Sequence, residues 1–198
     1  MLCILDSLLE CGKVDILNIA EKFYQWFEDE PLGIGETVYK VLSMPEFLMQ
    51  PQKVAEVVWE MSNRKSASNG AVMRTSILGI WEYKDLEKVK QNAEQVCKIT
   101  HFDPRCVASC VAVSTAIALL LRNEFTYDVV KEIFLKYDRN ASTYFDFALQ
   151  HDITALELES KESMGYTYKA MTAGFWALMN AGSFEEGIYH IIHEGGDA

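Results

Sequence analysis

Three features of this 198-residue chain predict an all-α fold. Apolar residues recur at three- and four-residue spacing almost throughout, no run alternates for long enough to make a convincing strand, and glycine, proline and small polar clusters fall between the periodic segments. The length suits one compact domain spanning residues 1–198, too short for two of ordinary size. An apolar share of 49% beside 24% charged residues is that of a globular protein, so disorder is expected only at the ends.

The first helix carries Ile4, Leu5, Leu8 and Leu9 on one face and breaks at Gly12. A second carries Ile19, Phe23, Trp26 and Phe27, and the segment "EDEPLGIG", with Pro31, Gly33 and Gly35, ends it. Its acidic triplet Glu28-Asp29-Glu30 reads as a solvated helix end. Ser43 and Pro45 separate the next pair, after which Val54, Val57, Val58 and Met61 repeat the pattern up to "NRKSASNG". Asp103-Pro104 is the strongest helix start, because the Asp side chain can accept from the first free N–H groups and proline fits the first helical position. The run "CVASCVAVSTAIALLL" that follows is interrupted by Ser109, Ser114 and Thr115 and is shorter than a membrane span needs, so it reads as a buried central helix carrying Val107, Val111, Ala112 and Leu119. Ser183 with Glu186 three residues on forms a capping box for the last helix. The longest loops are expected around 62–70 and 138–165, where binding groups on a helical scaffold usually sit. Trp26, Trp59, Trp81 and Trp176 read as core.

A net charge of −11 argues against a nucleic-acid or anionic-membrane surface, since those need clustered Lys and Arg. Residues 1–11, "MLCILDSLLEC", contain Asp6 and Glu10 and have no basic lead or cleavage site, so they are not a signal peptide. Cys3, Cys11, Cys97, Cys106 and Cys110 are odd in number and lie mostly in apolar helical runs, which fits reduced thiols and a cytoplasmic setting. Cys106 and Cys110 share a helix face without a matching Cys or His pair, so they read as packing groups.

Ser66, Ser68, Asn69 and Gly70 are small, polar or both, and let backbone approach an oxyanion closely. The helix expected from about Ala71 would aim its positive end and unpaired N–H groups at the same place. A phosphate or diphosphate fits there without a basic patch; a plain helix cap is the competing reading. His101, two residues before the Asp103 cap, lies at another positive helix end, which favours the neutral ring. It would serve either a sugar hydroxyl or phosphate, or a purely structural hydrogen bond. His151, His190 and His193 give no metal spacing with it. Asp197, on the glycine-flexed turn "GGDA", suits a hard divalent cation, although one carboxylate is not a site.

Taken in order, "MLCILDSLLE", "GIGETV", "SASNGAVMR", "THFDP", "GYTYKAMTAGFWAL" and "SFEEGIYHIIHEGGDA" resemble the ADP-ribosylglycohydrolase family over almost the whole chain. The resemblance implies a compact all-α domain that hydrolyses the N- or O-glycosidic bond between ADP-ribose and an acceptor, assisted by two magnesium or manganese ions. It implies that Ser66, Ser68, Asn69 and Gly70 contact the diphosphate and adjoining ribose, that His101 supports the same ligand, and that Asp197 is the first carboxylate of a Gly-Gly-Asp-x-Asp metal motif. The expected partner is an ADP-ribosylated protein or a small ADP-ribose conjugate.

The chain departs from the family pattern at both ends. The family's Thr-Asp-Asp metal motif would precede Met1 and its second C-terminal ligand would follow Ala198, so the chain reads as a fragment that is inactive as it stands. Beside this stands a non-catalytic reading, an ADP-ribose-binding or crystallin-like structural relative, and an unrelated acidic scaffold is a third. The sequence leaves acceptor and oligomeric state open.

Overall fold

The computed structural model describes residues 1–161 and 163–196. Among them eleven α-helices are separated by turns, and the one strand-like pairing is an isolated antiparallel bridge between Ser68 and Tyr166. The fold is all-α, as the periodicity requires.

Helix α1 (Leu2–Cys11) ends where Gly12 takes a left-handed conformation, φ 66°, and its N–H caps the Leu8 carbonyl. Helix α2 (Ile16–Glu28) is started by Asp15, whose carboxylate accepts from the N–H groups of Leu17 and Asn18. The acidic triplet at its far end is exposed, as expected. Helix α3 (Glu36–Leu42) follows Gly35, and α4 (Pro51–Met61) begins with proline at its first position.

The segment after Gly70 is not the helix the sequence suggests. Helix α5 (Val72–Thr75) is a single turn that tightens into a 3₁₀ turn over Ser76–Gly79. One turn builds little macrodipole. Gly79, the last residue of that turn, lies so close to α7 that an added Cβ would fall 2.4 Å from the Ser114 carbonyl oxygen.

Helix α6 (Leu86–Cys97) leads to α7 (Pro104–Leu121), which is started by Asp103 and Pro104 as expected. By length and composition α7 is the one helix among the described residues able to cross a membrane, yet 67% of it is buried in the fold. It is the shared wall of two apolar clusters. Cys106, Val107, Cys110 and Val111 meet Ile4, Ile19, Phe23 and Val58 on one side. Ala108, Ala112, Ala116 and Leu119 meet Phe134, Phe145, Tyr168 and Phe175 on the other.

That second cluster is supplied by α8 (Tyr127–Leu135), α9 (Ser142–Ala148) and α10 (Thr167–Asn180). The expected loop at 138–165 therefore contains a helix and a 3₁₀ turn at Ile153–Leu156. Helix α11 (Phe184–His193) closes the described chain. Its capping box is displaced by one residue: Ser183 Oγ accepts from Glu186 N at 3.1 Å, but Glu186 Oε2 accepts from Gly182 N, not from Ser183.

Candidate functional site

The site is a cleft of about 880 Å³ whose wall is built from the segment between α4 and α5. After α4, Asn63 and Arg64 both take positive φ, 54° and 60°. Asn tolerates that region, whereas for Arg it is strained. Arg64 is held there by its N–H to the Trp59 carbonyl and by its guanidinium 5.3 Å from the Trp59 ring. These two residues turn the chain into an extended run.

Two backbone hydrogen bonds fix that run against the loop before α10: Asn69 N donates to Gly165 O at 2.9 Å, and Thr167 N to Ala67 O at 3.0 Å. The Cys106 thiol donates to the Ser68 carbonyl from α7. The cleft wall is thus pinned by residues as far as 100 positions away in sequence, the distance from Ala67 to Thr167.

Ser66, Ser68, Asn69, Gly70 and His101 all line this one cleft. His101 is 1% exposed, and its Nε2 lies 2.9 Å from Ser68 Oγ while its Nδ1 lies 2.8 Å from Thr100 Oγ1. Burial, and secondarily the Arg74 charge, hold the His101 ring well below its ordinary pKa, so it is neutral. Gly70 is needed for proximity, since a Cβ there would sit 3.1 Å from His101 Nε2. Asp103, two residues on, is wholly occupied: it accepts from Arg105 N, Nε and Nη2 and from Trp59 Nε1 at 2.8 Å. It holds the corner in place and does not face the cleft as a free carboxylate.

Two contributors escape a sequence reading. Arg74, on the single-turn α5, lines the cleft floor, donates from Nη2 to Thr100 Oγ1, and stacks its guanidinium 4.7 Å from the Phe23 ring. Its Nε is sealed from solvent with no partner. The ionisable groups acting on it are the thiols of Cys97, Cys110, Cys106 and Cys3 rather than a carboxylate. Thr37, in the first turn of α3, bridges Ser66 at 2.7 Å and Ser68 at 3.2 Å. Trp26 also differs from expectation: it is 38% exposed and lines the cleft instead of the core. It sits one turn from Phe23 on α2, and that face opens onto the cavity.

Among the described lining residues Lys65 and Arg74 are the cations and Glu36 is the one acid. Glu36 is itself paired with Lys40 at 2.5 Å. In a protein of net charge −11 this cleft is locally positive, so it suits an anionic ligand. Hard divalent cations need several oxygen ligands each, and no group of three or more His, Cys, Asp or Glu side chains is placed to hold one among the described residues. Asp197 lies outside the described residues.

The molecule is all-α, with a hydroxyl-rich cleft floored by a cation. The sequence profile of the ADP-ribosylglycohydrolase family matches residues 1–198, and the chain belongs to that family. It is 25% identical to an uncharacterised protein of Archaeoglobus fulgidus and 23% identical to the ADP-ribosylarginine hydrolase Tri1 of Serratia proteamaculans, with all of this chain covered in both. It is 29% identical over 68% of its length to the ADP-ribosylhydrolase ARH3 of Gallus gallus. The chain spans 64%, 53% and 35% of the lengths of these three relatives.

Proposed function

We propose that the cleft holds the ADP-ribose part of an ADP-ribose conjugate, and that the activity to which this chain contributes is hydrolysis of the glycosidic bond between ADP-ribose and its acceptor. The observation that carries this reading is the convergence of Ser66, Ser68, Asn69, Gly70 and His101 on one cleft floored by Arg74. Its volume falls within the roughly 300–1,000 Å³ usual for small-molecule sites. The hydroxyls and the neutral imidazole supply hydrogen bonds to a diphosphate or ribose, Arg74 and Lys65 supply charge, and the exposed Trp26 ring supplies an apolar face. Arginine is the acceptor in the name of the Serratia relative, so an ADP-ribosylated arginine side chain is the first substrate to try. Five unpaired thiols fit a reducing, cytoplasmic setting.

Binding and turnover separate here. Cleavage passes through an oxocarbenium-like transition state that needs carboxylate support. Glu36, already paired with Lys40, is the sole acid among the described lining residues. The 198 residues alone therefore bind ADP-ribose without cleaving its conjugates, which is the behaviour of a binding module. Isothermal titration with ADP-ribose, run beside a turnover assay on ADP-ribosylarginine with added magnesium, tests both halves. Saturable heat with no released product is expected; absence of heat favours a scaffold, and robust turnover overturns the claim of inactivity.

A further inference from the structure

Six side chains at the cleft are joined in one line of hydrogen bonds, and the chemistry along it sets the direction from Arg74 as far as Thr37. Arg74 Nη2 meets Thr100 Oγ1, Thr100 Oγ1 meets His101 Nδ1, His101 Nε2 meets Ser68 Oγ, Ser68 Oγ donates to Thr37 Oγ1, and Thr37 Oγ1 meets Ser66 Oγ. A guanidinium has donors and no acceptor, so the first bond runs from Arg74 to Thr100. The Thr100 hydroxyl hydrogen is then free for His101 Nδ1, which accepts. A neutral imidazole that accepts at Nδ1 carries its proton at Nε2 and donates it to Ser68. Ser68 donates onward to Thr37, and in the Thr37–Ser66 bond either hydroxyl can donate, leaving one hydrogen of that pair over. The opposite direction fails at Ser68, which donates to Thr37. Ser68 would then spend its one hydrogen on His101 and have none for Thr37.

We propose that Arg74 and Thr100 are positioning residues that polarise this chain, fix His101 as the Nε2–H tautomer, and leave one hydroxyl hydrogen of the Thr37–Ser66 pair as its terminal donor for an acceptor oxygen of the ligand. Thr37 and Ser66 both line the cleft, so the hydrogen left over from their bond is available to a ligand there. The wall is in this way committed as a donor before any ligand arrives, which avoids reorienting hydroxyls on binding. A ligand that offers oxygen acceptors, above all anionic ones, is favoured over one that offers donors. The identity of that ligand as ADP-ribose rests on the function proposed above; the polarity of the chain does not.

The ¹⁵N-detected tautomer of His101 in the ligand-free 198-residue protein tests the inference directly, with the His101→Gln spectrum assigning the signal among the four histidines. The wild type is expected to be neutral with the proton on Nε2. Thr100→Val, which keeps the shape and removes the hydroxyl, should lose the single tautomer and weaken ADP-ribose binding about tenfold, the loss of one well-placed hydrogen bond. Thr100→Ser should restore both. An Nδ1–H tautomer in the wild type, or a tautomer unmoved in Thr100→Val, overturns the proposal. Should Thr100→Val fail to fold, the wild-type tautomer alone decides. A correct tautomer in a protein that gives no heat with ADP-ribose upholds the polarity and removes the ligand assignment instead.

Discussion

At the scale of single residues, His101 carries a pH dependence whose sign follows from its burial. Folding holds its pKa well below the ordinary histidine value, chiefly by removing it from water and secondarily through Arg74. The groups packed around the ring are the Arg74 charge, the Thr100 and Ser68 hydroxyls, and Gly70. On acidification the unfolded chain therefore takes up this proton first, near pH 6.5, while the folded chain stays neutral. The contribution is complete above that value and is lost as pH falls toward the lowered folded value, at up to about 1.4 kcal/mol per pH unit. Urea unfolding at several pH values between about 7 and 5 should show a steeper loss for the wild type than for His101→Gln. Parallel curves would place the proton uptake on other groups. The sequence showed that His101 lay beside a helix start, but not that it would be buried. That burial comes from Gly70, which lets the backbone press against the ring from 31 positions away, the distance from Gly70 to His101.

At the scale of elements, the start of α7 decides whether the corner at His101 keeps its shape. Asp103 is fully buried, caps the helix, and receives Arg105 and Trp59 besides. Asp103→Ala removes the cap and leaves the Trp59 N–H and the Arg105 guanidinium without their acceptor. It should cost about 2 to 3 kcal/mol, less than a wholly buried pair because Arg105 is a third exposed. Asp103→Asn retains an acceptor for the cap and should cost about half as much. Equal losses for the two variants in chemical denaturation would mean that the capping geometry is not what stabilises the corner. This start was legible in the sequence because a cap is local: Asp, then Pro, then an apolar run. The single-turn α5 was not, because the carbonyl of its last residue, Thr75, accepts from Ser114 Oγ on α7, 39 positions away. Helix α9 was hidden for a related reason. Seven residues, "STYFDFA", are too few to show a period, and Phe145 is buried by Phe134 and Phe175 from other helices. Arg74 and Thr37 were passed over in the same way, since each gains its role from partners 26 and 29 residues distant.

At the scale of the whole molecule, two fields of opposite sign meet at the cleft. The protein carries −11, which repels a diphosphate at long range, while Lys65 and Arg74 attract it once it has entered. The two are screened differently. The Debye length falls from about 30 Å at 0.01 M salt to about 8 Å at 0.15 M, so added salt removes most of the distant repulsion. The Arg74 Nε is sealed from solvent, and its attraction acts at contact distance where ions do not intervene. Association of ADP-ribose should therefore speed up several-fold over that salt range, with a much smaller change in dissociation. A basic cleft on a basic protein would do the reverse. Trp26, exposed on the cleft wall, provides the signal: stopped-flow quenching of its fluorescence should give an association rate that climbs with salt and then levels off. A rate that falls steadily with salt would mean that the local cations, and not the net charge, govern the approach.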